Sequence, residues 1–261
     1  MRRLTLFLKG NVDVHDSLHS CRLGGKVEWN GINDIVRERH PGWAVRVKHE
    51  TFTRSDALLR ADGSVPGALK TRELPLADYP LESQFSRAAF ETDADAIILS
   101  IQPDVHFRLA RHRAEDFLLY RYDRDAWSES DRRWLAADFE EAPRLSVEQS
   151  MANFETIIDR IRERTEAPIL VYNLSPIIPG ESIHCYQGFD DSYSTRIRRF
   201  NLGLIDLSAR TGVSIIDVET ALARKGAEAL KVDSFHLKPA GYRIIAEEVV
   251  RVLEDLGLFQ E

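Results

Sequence analysis

Short apolar runs alternate with stretches of helical periodicity along the whole chain, and this narrows the fold more than any other feature of the 261 residues. Parallel strands need a crossover long enough to hold a helix, so strand–helix repetition implies βαβ units around a parallel sheet. Leu4 to Lys9 reads as the first strand, closed by Gly10, and Asn30 to Arg39 as a helix stopped by His40-Pro41-Gly42. Trp43 to Lys48 is the second strand, followed by a helix from Ser55 to Arg60. Ala94 to Gln102 is a third, buried strand broken by Pro103. Ser146 to Arg164 is amphipathic, with Val147, Met151, Phe154, Ile157, Ile158 and Ile161 on one face. Pro168 to Asn173 and Val213 to Asp217 supply the last two strands, with helices at Thr195–Thr211 and Ala240–Leu256.

These lengths suit one doubly wound α/β domain over residues 1–261. Ligands in such folds sit at the carboxyl ends of the strands. Two stretches break the rhythm. Ala61 to Pro80, rich in Gly, Pro and charge, reads as a surface excursion. Residues 105–143 are charged and aromatic (Tyr120, Tyr122, Trp127, Trp134, Phe139) and read as a helical insertion over the site.

A formal charge of −7 argues against a nucleic-acid partner, which demands clustered positive charge. The Arg196–Arg199 cluster reads as a solvated helix face. No apolar run approaches a membrane span, and the five or so apolar residues after Arg2-Arg3 are too few for a secretory core. Cys21 and Cys185 form no metal spacing or disulfide framework. The expectation is a cytoplasmic protein with reduced thiols, acting on a small molecule; oligomeric state is not legible.

The chemistry concentrates at Val232-Asp233-Ser234-Phe235-His236-Leu237-Lys238-Pro239-Ala240-Gly241-Tyr242. An Asp three residues before a His, on a loop entering a helix through Pro and Gly, can accept a bond from one imidazole nitrogen. The other nitrogen is then free to act as a base.

With the strands and this pair placed, the chain resembles the SGNH/GDSL hydrolase superfamily. The resemblance implies a flavodoxin-like three-layer α/β/α sandwich with a central five-stranded parallel sheet, and cleavage or transfer of acyl or acetyl esters of small polar or carbohydrate-like substrates. The family's first block, Gly-Asp-Ser after strand one, becomes Gly10-Asn11-Val12, so Val12 stands where the nucleophile belongs. Asp16-Ser17-Leu18 carries the block's letters farther along; a longer Asn11–His15 loop would bring Ser17 to the first turn of the next helix, beside His236. The second block's glycine is absent from Glu50-Thr51-Phe52-Thr53, where Thr51 or Phe52 could offer an N–H. The third block, Gly-x-Asn-Asp, becomes Ser100-Ile101-Gln102-Pro103, and Gln102 keeps a carboxamide. The resemblance therefore implies His236 as base, Asp233 as its orienter and Ser17 as nucleophile, with Gly10, Asn11, Thr51, Gln102, Asp13 and His15 around the oxyanion and substrate.

Other readings stay open. Asp13, His15, Asp16, His19 and Cys21 crowd one loop, and a metal at Asp13, His15 and His236 could activate water in place of a serine, although the spacing matches no metal motif and no cofactor is expected. His236 could activate water directly. Cys21 is a weaker nucleophile candidate, Arg108 near His106 could bind an anion, and His184 to Gln187 could shape the pocket. With three blocks altered, the fold could also serve as a binding protein without acyl-enzyme chemistry.

Overall fold

The computed structural model describes residues 1–19, 21–121, 126–178 and 192–260, and the side chains of 21–23 fall outside that description. His184, Cys185, Tyr186, Gln187 and Tyr122 lie outside the described residues.

Five parallel strands form the central sheet: β1 (Arg2–Lys9), β2 (Trp43–Glu50), β3 (Ala96–Ser100), β4 (Ile169–Tyr172) and β5 (Ser214–Ile216). Their spatial order is β5-β4-β3-β1-β2, the doubly wound arrangement expected from the alternation. Strand period two sorts the side chains. Leu4, Leu6 and Leu8 enter one core with Ala96, Ile98, Leu170 and Tyr172. Phe7, Ile97, Leu99, Ile169 and Val171 enter the other. Strand β3 is buried along its whole length, so it reads as a continuous apolar run rather than an alternating one.

Helices cover both faces. On the first lie α1 (Val12–Leu18), α2 (Ile32–Arg39) and the closing α5 (Pro239–Asp255). On the second lie α3 (Val147–Arg162) and α4 (Tyr193–Thr211). Ser146 starts α3 with a reciprocal cap, accepting from the Gln149 amide while the Gln149 side chain accepts from its own. Met151, Phe154, Ile157, Ile158 and Ile161 then fall on the buried face, as their spacing predicts.

Residues 105–143 differ from the helical expectation. They hold a three-stranded antiparallel sheet (Leu109–His112, Leu118–Tyr120 and Phe139–Glu141) and one helix, Glu129–Asp138. The Ala61–Pro80 excursion packs onto it. Leu69 and Leu76 share a small separate core with Phe85, Phe117, Leu119, Trp127 and Phe139. A second unforeseen element is the antiparallel pair Cys21–Leu23 and Lys26–Trp29. Among the described residues no helix is long and apolar enough to cross a membrane.

Candidate active site

The motif before α5 forms a braced loop. Val232 and Asp233 donate backbone N–H groups to the His236 carbonyl, and Lys231 bridges to Leu237. Tyr242 accepts the Leu237 amide on its hydroxyl at 3.2 Å. A Cβ on Gly241 would stand 3.1 Å from the Leu230 carbonyl, so the bare backbone lets the helix start close beneath the loop. The Asp233 carboxylate accepts from the amides of Phe235 (2.8 Å) and His236 (2.9 Å) and lies 2.8 Å from His236 Nδ1. Partial burial alone would raise the Asp233 pKa, but those amides and the imidazole together hold it below the usual carboxylate range. A carboxylate only accepts, so the proton of neutral His236 sits on Nδ1 and Nε2 keeps a lone pair. The ring is 53% exposed and its partner 37%. It lines an open cleft; it is not buried at a strand end.

The end of β1 departs from the sequence reading. Helix α1 begins at Val12, directly after Asn11, with no extended loop. Helical spacing then turns Val14, Ser17 and Leu18 onto the sheet and leaves Val12, His15 and Asp16 at the cleft. Ser17 is fully buried in the second turn; its Oγ donates to the Asp13 or Val14 carbonyl and lies 3.1 Å from the Tyr172 hydroxyl. It does not line the cleft that His236 lines, so the structure does not bring the expected nucleophile to its base. Val12 does line that cleft.

Gly10 positions the helix and does not line the cleft. A Cβ there would meet Val14 Cγ2 at 2.5 Å. Its carbonyl accepts from His49 Nε2 at 2.9 Å. Asp13 turns beneath the cleft floor into a small enclosed cavity, accepting from Ser100 Oγ and the Asn11 amide. Burial raises its pKa against those donors.

Asn11 is buried, and its Oδ1 accepts the Phe52 amide at 3.1 Å, which fixes the carboxamide orientation. Its Nδ2 has no hydrogen-bond partner, nor does the buried Thr51 Oγ1, and both residues line the cleft. Phe52, expected as a possible donor, already spends its N–H on Asn11. Gln102 lines the cleft from the start of the short helix after β3. Two unpaired buried polar atoms thus belong to residues that share the cleft with His236.

The remaining wall comes from Asp78, Tyr79, Phe107 and Tyr120, which enclose a volume of about 680 Å³ with the sheet end. Phe107 and Tyr120 stack at 4.2 Å between centroids, and Tyr79 meets Tyr120 edge-on at 4.6 Å. His49, given no role from sequence, also lines the cleft at the end of β2. In the strand register it pairs with Leu8, two residues before Gly10. Burial pushes its pKa down to about 4. Asp16 lies 2.8 Å from His15 Nδ1.

The residues do not fit the metal considered above. The Asp13 carboxylate is committed beneath the floor and His15 is paired with Asp16. Among the described residues no group of three His, Cys, Asp or Glu side chains gathers to hold an ion. Arg108 does not line the cleft; it pairs with Glu141 at 3.8 Å.

A covered five-stranded parallel sheet, with an imidazole–carboxylate pair at its carboxyl end, defines a three-layer α/β fold with a candidate active-site cleft. Residues 118–244, which include Asp233 and His236 but not Val12, match the model of the GDSL-like Lipase/Acylhydrolase family. The structure is similar over 99% of this chain and 97% of the other to LAE5, an alpha/beta hydrolase enzyme from the metagenome of Lake Arreo, Spain (TM-score 0.54, 14% identity). It is similar to the lipase/acylhydrolase from Enterococcus faecalis over 98% and 97% of the two chains (TM-score 0.52, 13% identity). It is also similar to Axe2, an acetylxylan esterase from Geobacillus stearothermophilus, over 95% and 93% (TM-score 0.52, 14% identity). No curated protein matches the sequence. The chain thus shares its fold with these solved structures and is similar to the GDSL-like family over residues 118–244.

Proposed function

We propose that this protein hydrolyses an acyl or acetyl ester of a small polar, carbohydrate-like substrate, with water rather than a serine as nucleophile. The observation that carries this reading is the Asp233–His236 pair at 2.8 Å, whose imidazole lines a cleft that Val12 lines and Ser17 does not. His236 Nε2 takes a proton from water as its oxygen attacks the ester carbonyl, and Asp233 stabilises the resulting imidazolium. Asn11 Nδ2 and Thr51 Oγ1 receive the developing oxyanion. A substrate hydroxyl in place of water would make the same step an acyl transfer. The aromatic wall and the likeness to an acetylxylan esterase favour an acetylated sugar.

The test is hydrolysis of 4-nitrophenyl acetate and acetylated xylooligosaccharides. His236→Gln should lower kcat/KM about 10²–10⁴-fold, the usual range for a lost general base. Ser17→Ala should keep most of the activity, and a serine-reactive phosphonate should leave Ser17 unlabelled. Phosphonate labelling of Ser17 would restore the serine mechanism. Wild-type rates in His236→Gln would remove His236 as base, and no hydrolysis above background by the wild type would favour the second reading, which the valine at the nucleophile's position supports: a fold that binds its metabolite without turning it over.

A further inference from the structure

The cleft is lined by a second imidazole–carboxylate pair, and we infer that His15, oriented by Asp16, is the general acid that protonates the departing alcohol. This rests on the hydrolase reading above and adds to it a residue for the second half of the reaction.

A serine enzyme can use one histidine twice, because acylation and deacylation are separate steps. Direct attack by water must take a proton and supply one within a single addition and collapse, so two groups in opposite protonation states serve it better. The cleft holds two such groups on separate segments. His236 comes from the loop before α5, and His15 from the first turns of α1, one turn past Val12. His15 Nδ1 lies 2.8 Å from Asp16 Oδ1, which directs Nε2 away from the carboxylate. The side chains are 36% and 23% exposed, sheltered yet open to a ligand.

Two further imidazoles border His15. His19 stacks on its ring at 5.1 Å and His49 leans against it at 4.9 Å. Burial keeps His49 neutral, with its Nε2 proton given to the Gly10 carbonyl. Asp16 is the carboxylate bonded to His15, and Asp78 also lines the cleft. The buried Lys9 has its own partner in Glu50. Within this group His15 has a carboxylate partner, Asp16, at 2.8 Å, and both line the cleft.

The step balances without any outside reagent. Water oxygen bonds to the carbonyl carbon while its proton passes to His236. The tetrahedral intermediate then collapses, the carbon–alkoxy bond breaks, and the His15 proton goes to the alkoxide. Acid and alcohol leave, and solvent returns His236 and His15 to their starting states.

The measurement compares two acetate esters. 4-Nitrophenolate leaves without a proton, whereas the alkoxide of an acetylated sugar or of ethyl acetate needs one. In His15→Gln, kcat/KM for the alkyl ester should fall at least tenfold further than for the aryl ester. Asp16→Asn should show the same bias more weakly. His236→Gln should depress both esters alike. Thermal melts confirm that each variant folds. Equal losses on both esters in His15→Gln, or no loss, would overturn the assignment of His15 while leaving His236 standing. An unaffected His236→Gln would sink the hydrolase reading itself.

Discussion

Asn11 divides two tasks between the two ends of one carboxamide. Its oxygen is committed to the Phe52 amide, and its nitrogen is buried without a partner in a residue that lines the cleft. A buried unpaired N–H donor costs about 1–3 kcal/mol, a cost a developing oxyanion can relieve. Asn11→Asp keeps the acceptor for Phe52 and removes the donor. On 4-nitrophenyl acetate it should lower kcat about 10²–10³-fold with little change in KM, as expected of a bond made mainly in the transition state. Asn11→Ala should lose rate similarly and also melt lower, because it strands the Phe52 N–H. An unchanged kcat in Asn11→Asp would remove the carboxamide from the oxyanion site. The sequence placed Asn11 here because it follows the glycine that ends β1. It could not show which end of the amide is free, which depends on an N–H 41 positions away.

At the scale of the element, α1 decides what the site can do. Its close seat on β1 depends on Gly10, where a Cβ would stand 2.5 Å from Val14 Cγ2 and 2.9 Å from Val14 Cβ. Gly10→Ala should therefore destabilise the fold by about 1–3 kcal/mol, the usual range for overpacking, and should lower activity by shifting Val12 and His15. Val14→Ala in the same chain should recover part of both. A double-mutant cycle on melting and rate checks this, and strict additivity would mean the clash is relieved elsewhere. The sequence reading held this segment as loop as far as His15. Val12, Val14 and the aspartates have weak helix propensity, and the helix is held by packing that local preference does not register. The 105–143 stretch hid its strands for a related reason: at three or four residues each, they are too short to display an alternation. The long elements, by contrast, were legible because each buries a full face. The Asp233–His236 pair was legible because one short loop carries both members.

The cleft belongs to the whole molecule, since the sheet end supplies its polar floor and the excursions supply its aromatic wall. Lys9 ties these parts together: buried at the end of β1, its Nζ donates to Glu50 at 2.8 Å and to the Ser83 carbonyl at 2.9 Å. Ser86 holds the other Glu50 oxygen at 2.9 Å. Burial lowers the Lys9 pKa against the raising effect of Glu50. His49 sits at the same junction, and its folded pKa of about 4 lies below the ordinary histidine value of 6.5. Above pH 6.5 the ring is neutral whether the chain is folded or not. Between pH 6.5 and about 4 the unfolded chain takes up a proton that the folded chain refuses, so stability present at neutral pH is lost on acidification. Allowing for partial exposure, the loss is on the order of 2 kcal/mol. His49→Gln can still donate to the Gly10 carbonyl but has nothing to titrate. Its melting temperature should fall less than that of the wild type between pH 7 and pH 4.5, while the two proteins stay similar at pH 7. Parallel curves over that range would show that the folded chain protonates His49 as readily as the unfolded chain does. His49, whose ring lies 4.9 Å from that of His15, would then be open to a proton from solvent as well, and the acid would have to be sought at both rings.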